Sequence, residues 1–231
     1  MCLFINSKAG KILSNIDFDK LKVIQKKLAS KVKQELPENF HLSIATGLDI
    51  SYQKNSDQAV AMAVSYDVKN KKICEEKYKK FRISFPYVSG FLAFREVPFY
   101  LRILKLLENP IDLLLVDGFG ILHPRKLGSA AHLGVLTNTP TIGVGKSKFV
   151  GNVNTQPNTP GEWIPIIYKN KQLGALLKPN MGKNIYISVG NLIDLKSAVK
   201  ISYDLIMPNK RLPEPLFLAD RDSKELVNEI L

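Results

Sequence analysis

Residues 43–52, SIATGLDISY, put Ile44, Leu48 and Ile50 on one side and Ala45, Gly47, Asp49 and Ser51 on the other, the alternation of a half-buried strand. Two more strand-like runs follow, AVAMAVSYDV (59–68) and a second over 72–83, joined by the turn-forming KNKK; the three predict an antiparallel meander. Apolar residues at three- and four-residue steps over 17–36 (Phe18, Leu21, Ile24, Leu28, Val32, Leu36) predict an amphipathic helix, and its outer face carries Lys20, Lys22, Lys26, Lys27, Lys31 and Lys33.

Beyond the meander the periods change. LAFREVPFYLRILKLLE (92–108) predicts a helix whose regular part begins around Pro98, since proline suits a first turn. IDLLLVDG is almost wholly apolar, as a strand buried on both faces must be. Residues 126–137 predict a helix and TIGVG a further buried strand. Residues 163–169 and 172–178 form a hairpin across Lys-Asn, 185–190 another strand, and 194–207 a helix capped by Asp194. RLPEP (211–215) ends it, leaving 220–231 as a short tail helix. The fold class is α/β: a three-stranded antiparallel meander followed by αβαβ in one mixed sheet, with flanking helices. A single domain of 231 residues is expected, with a basic helix at about 17–36, a core at about 43–207 and a tail at 208–231.

Charge adds a partner to this picture. Thirty-three Lys and Arg against 21 Asp and Glu give a formal net charge of +12, which favours a polyanion, nucleic acid before membrane surface. Cys2 and Cys74 follow no metal spacing and read as free thiols of a reducing compartment. The opening MCLFINSKAG is too short in apolar residues for a signal peptide, and no later run is long enough to span a membrane. A cytoplasmic protein, monomeric by default, is expected.

TIGVGKS (141–147) ends like a nucleotide-phosphate loop, and the apolar strand ending in Asp117 resembles the magnesium-holding strand of such enzymes. The glycine that this loop needs four residues before Gly-Lys is here Pro140, which has no N–H and cannot take a positive φ. No amphipathic helix opens after Ser147, and the aspartate strand precedes the loop instead of following it. An ATPase is excluded. What remains is a set of acids at strand and helix ends: Asp49, Asp117, and Glu96 at the head of a helix. An acid ending a buried strand is costly unless it is paired, with Arg95 or Arg125 for example, or bound to a cation. Oxygen donors with no Cys or His cluster suit Mg2+. A basic surface with an acidic magnesium site points to phosphodiester hydrolysis.

PYVSGFLAFRE (86–96), LLLVDGFGILHPRKLGSAAHLGVL (113–136), PTIGVGKS (140–147) and RLPEP (211–215), together with the Asp-bearing strand 43–52, resemble the endonuclease V family in content and order. The resemblance implies an RNase H-like core and cleavage dependent on Mg2+, with Mn2+ as a substitute. It implies a substrate of DNA containing deaminated purines, chiefly hypoxanthine, cut at the second phosphodiester bond 3′ to the lesion to leave 3′-OH and 5′-phosphate ends. By the same resemblance Asp49, Glu96 and Asp117 bind metal and orient water. His123 positions or protonates groups at the scissile phosphate, and Lys146 offsets charge there. Tyr87 matches the aromatic of a strand-separating wedge, and Gly90, Leu92, Gly118, Gly120, Gly143 and Gly145 match the lining of a base pocket. Phe119 departs from the usual polar residue of the Gly-x-Gly step; we expect it at the pocket mouth, stacking on the nucleotide beside the lesion. Ser89, Ser129 and Asn191 are further departures, and none removes a metal ligand.

Two other readings share these features: an inosine-specific endoribonuclease of the same family, and an RNase H-like nucleic-acid-binding module without catalysis. The Asp49, Glu96, Asp117 set argues against the second, because a pure binder needs no magnesium site.

Overall fold

The computed structural model describes residues 16–229. In chain order the elements are α1 (Phe18–Ala29), β1 (Ile44–Tyr52), β2 (Gln58–Asp67), β3 (Lys72–Arg82), α2 (Leu92–Leu104), β4 (Leu113–Asp117), α3 (Ser129–Thr137), β5 (Thr141–Gly145), β6 (Trp163–Tyr168), β7 (Lys171–Leu177), β8 (Ile185–Asn191), α4 (Leu195–Asp204) and α5 (Glu214–Asn228). Among the described residues, the eight strands join one sheet in the order β3-β2-β1-β4-β5-β8-β7-β6. β1, β4 and β5 run parallel, whereas β1–β2–β3 and β5–β8–β7–β6 pair antiparallel. The meander and the αβαβ order are those expected, and the 163–178 hairpin lengthens the same sheet. Its two-residue turn has both Lys169 and Asn170 at positive φ, +49° and +59°, the twist that a tight hairpin needs.

Alternation distributes the core over the two faces. Leu48, Ile50, Leu114 and Val116 face α2 and α3, packing on Ala93, Val97, Tyr100 and Leu133. Leu113 and Leu115 face the other way and join Leu216 of α5 and Ala198 and Val199 of α4. Leu113 to Val116 are wholly buried, as an interior parallel strand requires.

Helix ends differ from the sequence reading. α1 stops at Ala29, after which the chain turns and Val32 and Leu36 reach the core as coil. Pro98 does not open α2; it sits inside a helix that begins at Leu92, on the exposed side. α3 begins only at Ser129, because Lys126 takes a positive φ of +54° and Gly128 is extended. α4 keeps its Asp194 cap, whose side chain accepts from the Ser197 N–H at 2.9 Å, but ends at Asp204. RLPEP opens a helix where a break was expected: Pro213 caps α5 and Pro215 lies in its first turn, where a missing N–H costs nothing. Among the described residues no helix is long and apolar enough to cross a membrane. Cys74 is a free thiol; Cys2 and the opening MCLFINSKAG lie outside the described residues.

Candidate active site

β1 and β4 are parallel neighbours with Leu48 beside Val116, so Asp49 and Asp117 follow side by side on the face that α5 covers. α5 adds Asp220. One carboxylate oxygen from each of the three lies within 4.8 Å of those of the other two. Asp49 is 3% exposed, and Ser223 of α5 donates to its Oδ2 at 2.5 Å. Burial first, and Asp117 next to it, push the Asp49 carboxyl up to about 7. Burial opposes charge on Asp220 too, but hydrogen bonds from Lys146 and Lys224 hold it below the ordinary carboxylate range.

Lys146, one residue past β5, joins this cluster. Its Nζ donates to Asp117 Oδ2 at 2.5 Å and also to Asp220 Oδ1. Burial disfavours its charge, but the two aspartates more than compensate and raise its pKa. Arg95 and Arg125 are engaged elsewhere. Arg95 donates to the Phe85 carbonyl and lies over the Tyr52 ring, and Arg125 donates to the Gly90 carbonyl and lies over Phe91. Lysine therefore takes the pairing role that arginine was a candidate for.

Glu96 stands on the other side of the sheet, outside the close trio. Its Oε1 accepts from the Tyr52 hydroxyl at 2.8 Å and its Oε2 from the Ser129 hydroxyl at 3.1 Å. Burial, and after it the charges of Asp117 and Asp49, lift its carboxyl to about 8. The aspartate trio fits a divalent cation. It offers hard oxygen donors from three elements, and the Asp49 carboxyl is held at about 7 by burial first and by the neighbouring Asp117 second, so a cation there would offset both.

Beside the acids is a cavity of about 210 Å3, lined by Tyr87, Gly90, Leu92 and Ala93 from the 87–93 segment, by Phe119, His123, Gly128 and Ser129 from the 119–129 segment, and by Ser147, Lys148 and Phe149. Tyr87 is 70% exposed at its edge. Phe119 stacks on Phe149 with ring centres 5.5 Å apart and meets Tyr186 edge-on, so one ring face is taken by the protein. His123 is buried, with Nε2 against the Gly90 carbonyl at 3.1 Å and Nδ1 accepting from the Arg125 N–H at 3.2 Å. Burial and then Arg125 push its pKa down to about 4, which leaves a neutral ring in the pocket lining. A third depression, lined by Lys178, Lys183, Asn184 and Tyr186 among others, shares Lys146 with the acidic site and Ser147 and Lys148 with the pocket. The run Lys146, Ser147, Lys148 thus borders all three between them.

Of the pocket candidates, Tyr87, Gly90, Leu92 and Phe119 line the cavity. Gly118, Gly120, Gly143 and Gly145 do not. A Cβ on Gly120 would meet the Val189 carbonyl at 1.8 Å and one on Gly143 the Gly120 nitrogen at 2.5 Å. Those two let the 118–120 segment lie flat on β5 and β8. Sequence reasoning missed Asp220, Ser223 and Phe149. The first two were legible had α5 been started at the prolines, because Leu216, Ala219, Ser223 and Val227 then fall at helical steps on one buried side.

The family model of endonuclease V matches residues 26–221. Endonuclease V of Trichormus variabilis is 36% identical over 200 residues, covering 86% of this chain and 90% of its own. The crystal structure of the Bacillus subtilis endonuclease V superposes with a TM-score of 0.86 at 31% identity, covering 92% of this chain and 93% of the other. That of Ciona intestinalis endonuclease V, a D234N variant in complex with a 23mer DNA containing an inosine followed by a ribo-adenosine, superposes at 0.82 with 28% identity over 93% of this chain and 98% of that one. The shared fold is RNase H-like.

Proposed function

The chain belongs to the endonuclease V family, and from that premise we propose that it hydrolyses the second phosphodiester bond 3′ to hypoxanthine in DNA, leaving 3′-OH and 5′-phosphate ends. It would do so as a Mg2+-dependent, monomeric repair nuclease of the cytoplasm, with Mn2+ as a substitute. The observation that carries the reading is the convergence of Asp49, Asp117 and Asp220 beside a base-sized cavity.

Asp49, Asp117 and Asp220 would hold the cation, with Glu96 in reserve across the end of the sheet. A bound divalent cation supplies charge stabilisation at the phosphoryl oxygens and a more acidic water. Ser223 keeps Asp49 aimed at the site through its 2.5 Å hydrogen bond. Lys146 adds a fixed positive charge where negative charge grows in the transition state. An inspected base must leave the stack, and Tyr87, exposed at the cavity edge, fills the gap that it leaves. Phe119 on Phe149 supplies an apolar wall, and neutral His123 positions the opposite lip through Gly90. The basic depression with Lys178 and Lys183 carries the strand's phosphates onward.

Matched strands with and without one inosine, as DNA and as RNA, each incubated with Mg2+ or a chelator and mapped for the cut, test the proposal. Metal-dependent cutting of the inosine DNA strand alone, at the second bond, is expected. Cutting of undamaged strands at the same rate would overturn it. The RNA arm is needed because the Ciona relative's DNA carries a ribonucleotide after its inosine.

A further inference from the structure

The Gly90 carbonyl is where three side chains meet. Gln25 Nε2 donates to it at 3.0 Å, an Arg125 guanidinium nitrogen at 2.6 Å and His123 Nε2 at 3.1 Å. Gln25 also accepts from Arg125 Nε, and its Nε2 reaches the Leu127 carbonyl at 3.4 Å. Gln25 is fully buried and is the buried residue of α1, a helix otherwise flanked by exposed lysines. A buried amide is costly unless its donors and acceptor are satisfied, and here each is.

These bonds join the two chain segments, 87–93 and 119–129, that supply most of the cavity lining. Gly90 ends the segment that displays Tyr87, and Leu127 precedes Gly128, a lining residue of the other segment. Gly90 is also tightly constrained: its φ is +80°, and a Cβ there would stand 2.8 Å from the Arg125 guanidinium. Phe18 of α1 packs edge-on against Phe91, the next residue of the same segment, with ring centres 5.1 Å apart. The N-terminal helix is therefore tied to the pocket by a polar bridge and by a ring contact.

We infer that Gln25 is a positioning residue for base selection: by tying the Gly90 and Leu127 carbonyls together and holding Arg125, it sets the width of the cavity that receives the base. The inference rests on the base-pocket reading above. Hypoxanthine differs from adenine by a carbonyl in place of an amino group and by a protonated ring nitrogen. A wall separation held constant tells them apart, because hydrogen bonds fail within a few tenths of an ångström of lengthening; a slack wall accepts both.

Gln25→Met keeps the length and removes every bond, whereas Gln25→Glu keeps the acceptor for Arg125 and removes the donor. Cleavage of an inosine strand and of its adenine counterpart, measured with melting temperature, gives a selectivity ratio for each protein. Gln25→Met is expected to lower that ratio by about tenfold, mainly through KM for the inosine strand, with Gln25→Glu between it and the wild type. A folded Gln25→Met protein with lowered melting temperature and the wild-type ratio would overturn the inference and leave Gln25 as packing alone. If Gln25→Met does not fold, Gln25→Glu decides: a wild-type ratio overturns the inference and a lowered ratio supports it. A wild type with no preference for inosine sinks the pocket reading itself, a result distinct from either.

Discussion

Gly47 lies so close beneath Pro215 that a Cβ built on it would stand 2.2 Å from the Pro215 carbonyl oxygen. This contact seats the first turn of α5 on β1, and from that seat Asp220 and Ser223 descend over Asp49. Gly47→Ala should lift the helix, at a cost near the upper end of about 1–3 kcal/mol because the obstacle is backbone. Thermal melts with and without Mg2+ check this. The variant should lose stability and also the rise in melting temperature on adding metal; an intact metal response would show that the acids do not depend on this seat.

Asp49 illustrates the cost of gathering carboxylates closely enough for a cation to bridge them. Its carboxyl is buried and crowded by Asp117. Asp49→Asn should therefore abolish cleavage yet raise the melting temperature of the metal-free protein at pH above about 7. Calorimetry in chelator beside a nicking assay measures both. A lower melting temperature would mean that the Ser223 hydrogen bond outweighs the crowding.

Lys146 neutralises the same cluster from the other side. Its removal leaves Asp117 and Asp220 less compensated, so Lys146→Ala should cost roughly 1–3 kcal/mol without metal, below the range for a fully buried pair because the side chain is partly exposed. Added Mg2+ should recover part of that loss while turnover stays low. Unchanged turnover with weaker binding would place Lys146 in the general basic surface.

His123 makes a pH prediction. Its folded pKa of about 4 lies below the ordinary 6.5, so the fold prefers the neutral ring. Its contribution to stability is full above about 6.5 and is lost as pH falls through about 4. The ring resonance followed by NMR should not titrate at neutral pH, and melting temperature should decline across that acid window. A neutral-range titration would restore His123 as a proton donor.

Tyr87→Ala should reduce the preference for inosine over normal bases with little change in melting temperature, because the ring is exposed and packs on little. Strand competition assays measure the preference, and its full retention would count against the wedge.

The chain pattern alone determined the strands and two of the three acids of the trio. Alternation over 43–52 put Asp49 opposite Leu48 and Ile50, and the apolar run 113–116 made Asp117 the conspicuous end of a buried strand. The Asp194 cap and the Lys169–Asn170 turn were legible for the same reason: local hydrogen bonding and backbone sterics act within a few residues. Helix limits were less so. Pro98 and Pro215 each sit in a helix, Pro215 in a first turn where its missing N–H costs nothing and Pro98 on the exposed side of a helix held by the packing of Val97 and Tyr100. The helix that carries Asp220 was legible, but the convergence of Asp220 with the acids of β1 and β4 was not, and neither was the placement of Gln25. One belongs to the site because Gly47 lets a helix more than 160 residues later lie against β1, the other because Gly90, 65 residues on, turns its carbonyl toward α1. Period and propensity report what a segment does by itself. Which polar groups converge is decided by close contact between distant segments, and that contact exists only once the sheet is built.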